Sequence, residues 1–184
     1  MLTDRMESFD PHKLSGDAKR VHDQILAKRG YLPGPYPFWL ASPGFAEHIE
    51  PLEEYLRAQS SLPDTAIEVL VLVCARHWRA SYVWTAHVPP ALKAGVEQSV
   101  IDAILTGEMP ASGRAEDLLC CAFCQNLLSG AAAHDTLWQR ANETFGAAGV
   151  NELFGLIGLY TTVCLTMVGY RMPTKNGEPD PFDG

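Results

Sequence analysis

The sequence predicts an all-α fold, a single-domain helical bundle, and three observations carry that expectation. No stretch sustains the period-two alternation of apolar and polar residues that a half-buried strand requires. Gly30, Gly95 and Gly107 stand directly behind helix-periodic segments, where helices commonly end. The residues from Ile67 to Ala75, IEVLVLVCA, are apolar on every side apart from Glu68, which is the pattern of a buried helix.

Residues 1–16 read as a loosely held arm. Gly16 to Arg29 forms the first helix, with Val21, Ile25 and Leu26 as its apolar stripe and Gly30 at its end. Pro33, Pro35, Pro37 and Pro43 then alternate with Tyr31, Tyr36, Phe38 and Trp39, which predicts a stiff loop without regular structure. That loop is either an aromatic plug at the core edge or a pocket lid. Phe45 to Ser60 is a second helix with a charged outer face.

Ser61-Leu-Pro-Asp64 has the spacing of a capping box, making Ser61 the expected N-cap of the apolar helix that ends near Trp78. A break at Arg79-Ala80 leads into the helix carrying His87. Pro89 and Pro90 should kink or interrupt it before Gly95. Ser99 to Leu105 is short and closed by Gly107, and MPASG is a loop. Three more helices follow over Arg114–Leu128, His134–Phe145 and Val150–Met172. The last twelve residues, PTKNGEPDPFDG, read as an exposed tail. A chain of 184 residues suits one domain, 1–184, with arm and tail peripheral.

A net charge of −8 with no run of Lys or Arg argues against nucleic acid or an anionic membrane surface as partner. Leu153 to Tyr170 is uncharged for long enough to raise the question of a membrane span. Its three glycines and its Thr residues favour a buried central helix. The N-terminus lacks the apolar region of a secretory signal, and five cysteines is an odd number. Reduced thiols and a cytoplasmic location are therefore expected.

Chemistry concentrates between Glu68 and Gly95. A lone carboxylate in an apolar helix is costly unless it finds a donor, and His87 on the next helix is placed to supply one. Ala80, Val83 and Trp84 flank the same stripe as His87, whereas Tyr82 sits roughly 140° round the helix from it. An imidazole oriented by a carboxylate can serve as a general acid/base near neutral pH; equally, a buried Glu–His hydrogen bond can serve packing alone. Arg76, His77 and Arg79 lie at the turn between the two helices. They offer cationic donors if they face a pocket and form a solvated helix end if they face outward. Cys121-Ala-Phe-Cys124 is a C-x-x-C, but it falls inside an apolar helix and not at an N-terminus, so it reads as core packing. The six histidines have no paired ligand spacing, so no metal is expected.

These residues resemble the carboxymuconolactone decarboxylase and alkylhydroperoxidase-D family. The similarity lies in Glu68 followed after nineteen positions by His87, then Ala91 and Gly95, with Trp78 and Tyr82-Val-Trp84 between. A loop with Gly107 and Pro110, the pair Phe145-Gly146 and a long apolar helix opening GVNEL follow in the same order. The resemblance covers about residues 40 to 170. It implies an all-helical fold assembled as trimers or hexamers, with pockets near subunit contacts. In the hydroperoxidase branch a C-x-x-C precedes the histidine, and a glutamate and a second histidine complete a proton relay. Here the cysteine positions fall on Ala80 and Val83 and the second-histidine position on Tyr82. Disulfide-based peroxide reduction at this site therefore has no nucleophile.

The expectation is a cofactor-free enzyme that decarboxylates, or moves a proton on, a small and possibly anionic carbonyl or lactone compound. His87 would be the acid/base, Glu68 its orienting partner and Tyr82 a donor to the substrate. Trp78, Trp84 and Trp39 would exclude water, and Arg76 or Arg79 would hold a carboxylate. Alternatives are a thiol peroxidase using Cys121 and Cys124, and a catalytically silent, ring-forming ligand-binding protein.

Overall fold

The computed structural model describes residue 5 and residues 9–183; part of the expected N-terminal arm (1–4 and 6–8) and the last residue of the tail lie outside them. Among the described residues all regular structure is helical. The chain sorts into two compact units, Met1–Ala58 and Gln59–Gly184.

In the first unit α1 (Gly16–Arg29) packs on α3 (Pro43–Ala58), joined by a segment containing α2 (Tyr36–Trp39). Gly30 ends α1 in the left-handed region (φ 74). Ion pairs tie the two long helices: Arg20 reaches both carboxylate oxygens of Glu47 at 2.6 and 3.0 Å, and Arg29 Nε reaches Glu50 at 3.0 Å. The proline-rich loop is not wholly irregular. Pro35 and Pro37 fall in and beside the first turn of α2, where a missing N–H costs nothing. The turn buries Tyr36, Phe38 and Trp39. Trp39 meets Tyr36 and Phe45 edge-on at 5.1 and 5.3 Å, and the Tyr36 hydroxyl donates to Glu53 at 2.7 Å.

The second unit is organised around α4 (Asp64–His77), which contacts α5 (Ser81–Ala94), α6 (Gln98–Thr106), α7 (Ala115–Leu128) and α8 (Asp135–Gly169). Every residue of α4 from Thr65 to Ala75 is buried. Four of them are β-branched Ile or Val, poor intrinsic helix formers; burial decides the outcome, at roughly 1.5–3 kcal/mol per large apolar side chain.

Ser61 is not the N-cap of α4. Pro63, in extended backbone, takes that position without a side-chain bond. The Ser61 hydroxyl and N–H instead donate to the buried Glu152 carboxylate at 2.6 and 2.9 Å, charge-assisted bonds that tie the serine to α8. Pro89 and Pro90 do not interrupt α5, which runs through to Ala94. Both rings lie on its exposed side, while buried Val83, Trp84 and Ala91 hold the helix on either side of them.

The segments expected as separate helices at 134–145 and 150–172 are two helical stretches meeting at Gly146, where the backbone is not helical (φ 68, ψ 174); together they carry the label α8. Trp138 and Phe154 would stand about 24 Å apart on a straight helix at 1.5 Å per residue. Their rings lie 6.2 Å apart and 19° from parallel, so the chain folds back sharply at the glycine. By length and composition α8 is the one described helix able to cross a membrane, with 44% of its most apolar window buried. It is not the central helix, a position that falls to α4. It buries Leu153, Leu156, Tyr160, Cys164 and Met167, and exposes Phe154, Leu165 and Val168.

Residues 173–183 do not extend freely from the fold. Phe182 is only 6% exposed. The Lys175 N–H donates to Thr85 Oγ1 at 2.9 Å and Ser81 Oγ to Asp180 at 2.6 Å. The charged and proline-rich composition concealed one aromatic anchor.

Candidate active site

The shared face of α4 and α5 brings Glu68 and His87 together. Glu68 lies beyond the first turn of α4, so the charge at the helix N-terminus does little to stabilise it, and its side chain is 6% exposed. His87 Nδ1 stands 2.8 Å from Glu68 Oε2. An ionised carboxylate only accepts, so the bond fixes the imidazole hydrogen on Nδ1 and leaves Nε2 as the nitrogen that can take and return a proton. The His87 side chain keeps 18% of its surface, three times the fraction at Glu68. Among the described residues Nε2 has no hydrogen-bonding partner. A buried carboxylate thus orients an imidazole that keeps part of its own surface exposed.

Tyr160 on α8 forms a further wall, its ring edge-on to the imidazole at 5.3 Å and 89°. Sequence reading missed it. It lies in an uncharged stretch ninety-odd residues from Glu68, and only the packing of α8 on α4 and α5 brings it here.

The other expected site residues divide. Tyr82 is half-buried on α5, and burial raises its phenol above the ordinary range. Trp78 closes the C-terminus of α4, its indole N–H 3.4 Å from Thr161 Oγ1 and its ring edge-on to His77. Trp84 is buried with its ring 5.6 Å from that of Phe182. Trp39 belongs to the first unit.

Arg76 and Arg79 are engaged by the chain itself. Arg76 Nε donates to the Leu105 carbonyl at 2.6 Å, Arg79 donates to the Phe182 carbonyl, and both guanidinium groups lie against the Phe182 ring. Arg79 also occupies the left-handed region (φ 50), closing α4 with the Ala80 N–H bonded to Ala75 at 2.8 Å. Glycine is the usual residue at such a position, and a side chain there costs about 1–2 kcal/mol.

The thiols are differently placed. All five cysteines are reduced and buried. Cys121 and Cys124 sit in the second and third turns of α7, and Cys124 Sγ lies 3.9 Å from Cys74 Sγ on α4. Burial pushes the Cys121 thiol up to about 12 and raises Cys120, Cys124 and Cys164 as well. Such thiols are poor nucleophiles at neutral pH. Among the described residues no group of three or more His, Cys, Asp or Glu side chains is arranged to hold a metal ion. No family model matches the chain, and no curated protein matches it.

Proposed function

We propose that the protein is a cofactor-free enzyme of the carboxymuconolactone decarboxylase type, acting on a small carbonyl or lactone compound with His87 as its general acid/base. The observation that carries this reading is the 2.8 Å contact from a buried carboxylate to an imidazole that is itself only partly buried. In decarboxylation the bond between the carboxylate carbon and the ring breaks, and its electron pair passes into the conjugated carbonyl as a dienolate. Protonated His87 then delivers a proton from Nε2 to carbon and recovers one from solvent, so one proton is consumed for each carbon dioxide released. Glu68 steadies the imidazolium between these steps.

The thiol peroxidase reading lacks a thiolate within this geometry. The same proposal includes a homo-oligomer, a trimer or hexamer, supported by Phe154, Leu165 and Val168, which share one exposed face of α8. Ultraviolet absorbance of γ-carboxymuconolactone, followed with native protein and with folded His87→Ala, tests the reaction. Loss of absorbance with the native chain alone is expected; no acceleration by either removes this substrate from the proposal.

A further inference from the structure

The slot filled by Phe182 is built differently from an ordinary surface contact. Phe182 is 6% exposed while the acidic residues flanking it, Asp180 and Asp183, are exposed, so one ring is inserted from an otherwise superficial segment. The ring meets the Trp84 ring edge-on at 5.6 Å and 71°. The Arg76 and Arg79 guanidinium carbons stand 5.7 and 6.0 Å from its centroid. Arg79 also donates to an oxygen beside that ring, the Phe182 carbonyl. The backbone accepts left-handed strain at a non-glycine residue in the place that aims this guanidinium at the slot.

Arg79 is better matched by a carboxylate than by the neutral Phe182 carbonyl it now meets, since charge-assisted bonds to a planar fork are the stronger ones, and the Arg76 guanidinium beside the ring, bonded through Nε to Leu105, adds a second positive charge. Beyond the slot, the segment's polar attachments to the helices are the Lys175 N–H to Thr85 and Ser81 to Asp180. Segments with few buried contacts open at low cost.

We propose that the Phe182 slot is a binding site for a small aromatic carboxylate, which displaces the C-terminal segment on entering. The proposal does not depend on the chemistry of the Glu68–His87 pair. The test is calorimetric titration of the native chain and of Phe182→Ala with benzoate, using benzyl alcohol as the uncharged control. Phe182→Ala is expected to bind benzoate at least tenfold more tightly than the native chain and to ignore the alcohol. Adding Arg79→Gln to that variant should remove the gain. Asp180→Ala, which loosens the segment and leaves Arg76, Arg79 and Trp84 intact, should tighten benzoate binding several-fold, and it decides the matter if Phe182→Ala does not fold. Benzoate binding no tighter in the folded variants than in the native chain, or equal binding of the alcohol, overturns the proposal.

Discussion

Breaking the Glu68–His87 contact from one side should cost more stability than deleting both partners. His87→Leu keeps the volume of the ring approximately but removes the donor 2.8 Å from Glu68 Oε2. A carboxylate 95% buried among Val69, Leu70, Val71 and Leu72 then loses the imidazole that faces it. Removing one member of a buried pair costs about 3–5 kcal/mol. The lower end applies here because the imidazole side keeps 18% of its surface, which admits water to the vacated position. Replacing both by apolar residues, Glu68→Met with His87→Leu, removes the buried carboxylate along with the imidazole and should leave stability within about 1.5 kcal/mol of native. Urea denaturation at pH 7 with a constant m-value measures the double variant and the two single ones, His87→Leu and Glu68→Met. At roughly 2–4 °C per kcal/mol, the single variant should melt some 6–12 °C below native and the double variant should recover more than half of that. A double variant as unstable as the sum of the two single ones would refute the reasoning, because the two side chains would then be energetically independent.

Three further outcomes follow from the geometry. Gly146→Ala should destabilise by about 1–3 kcal/mol in the same assay: a Cβ there meets nothing within 4 Å, so the cost is backbone strain alone, and a neutral result would contradict the fold-back of α8. Asp117 is 1% exposed, one carboxyl oxygen has no hydrogen-bonding partner among the described residues, and burial raises its pKa above that of the unfolded chain. Its contribution to stability is therefore full below pH about 4 and lost as the pH rises through the folded value. Asp117→Asn should match the native chain near pH 4 and become the more stable of the two towards pH 7; parallel curves would contradict this. Ellman's reagent at pH 8 should label none of the five cysteines in the folded chain within minutes and all five in denaturant, whereas prompt labelling of Cys121 or Cys124 would reopen thiol chemistry.

The sequence displayed most of the helices, because their periodicity, glycine ends and buried stripe are local signals. It also displayed the Glu68–His87 pair, since an unexplained carboxylate in an apolar helix demands a donor and His87 stood on the next helix. What it concealed was long-range. Ser61-Leu-Pro-Asp64 satisfies the local capping pattern, yet the serine is bonded to Glu152, 91 residues away, and the helix begins after Pro63. Tyr160 carries no mark in its own neighbourhood; it joins the site because α8 lies across α4 and α5. The tail misled for a related reason. Eleven of its twelve residues have the composition of a solvated terminus, and the exception, Phe182, is legible only beside Arg76, Arg79 and Trp84. The two prolines of α5 show the converse: a strong local signal for interruption yields where packing on both sides holds the helix.

The central claim is that His87, oriented by Glu68, transfers the proton. The most direct measurement is kcat for lactone decarboxylation by the native chain, Glu68→Gln and His87→Ala, each verified as folded by circular dichroism. General acid/base catalysis contributes about 10²- to 10⁴-fold, so His87→Ala should fall by that factor, with a smaller loss for Glu68→Gln, which keeps the imidazole but loosens its orientation. A folded His87→Ala that turns over at the native rate would contradict the account.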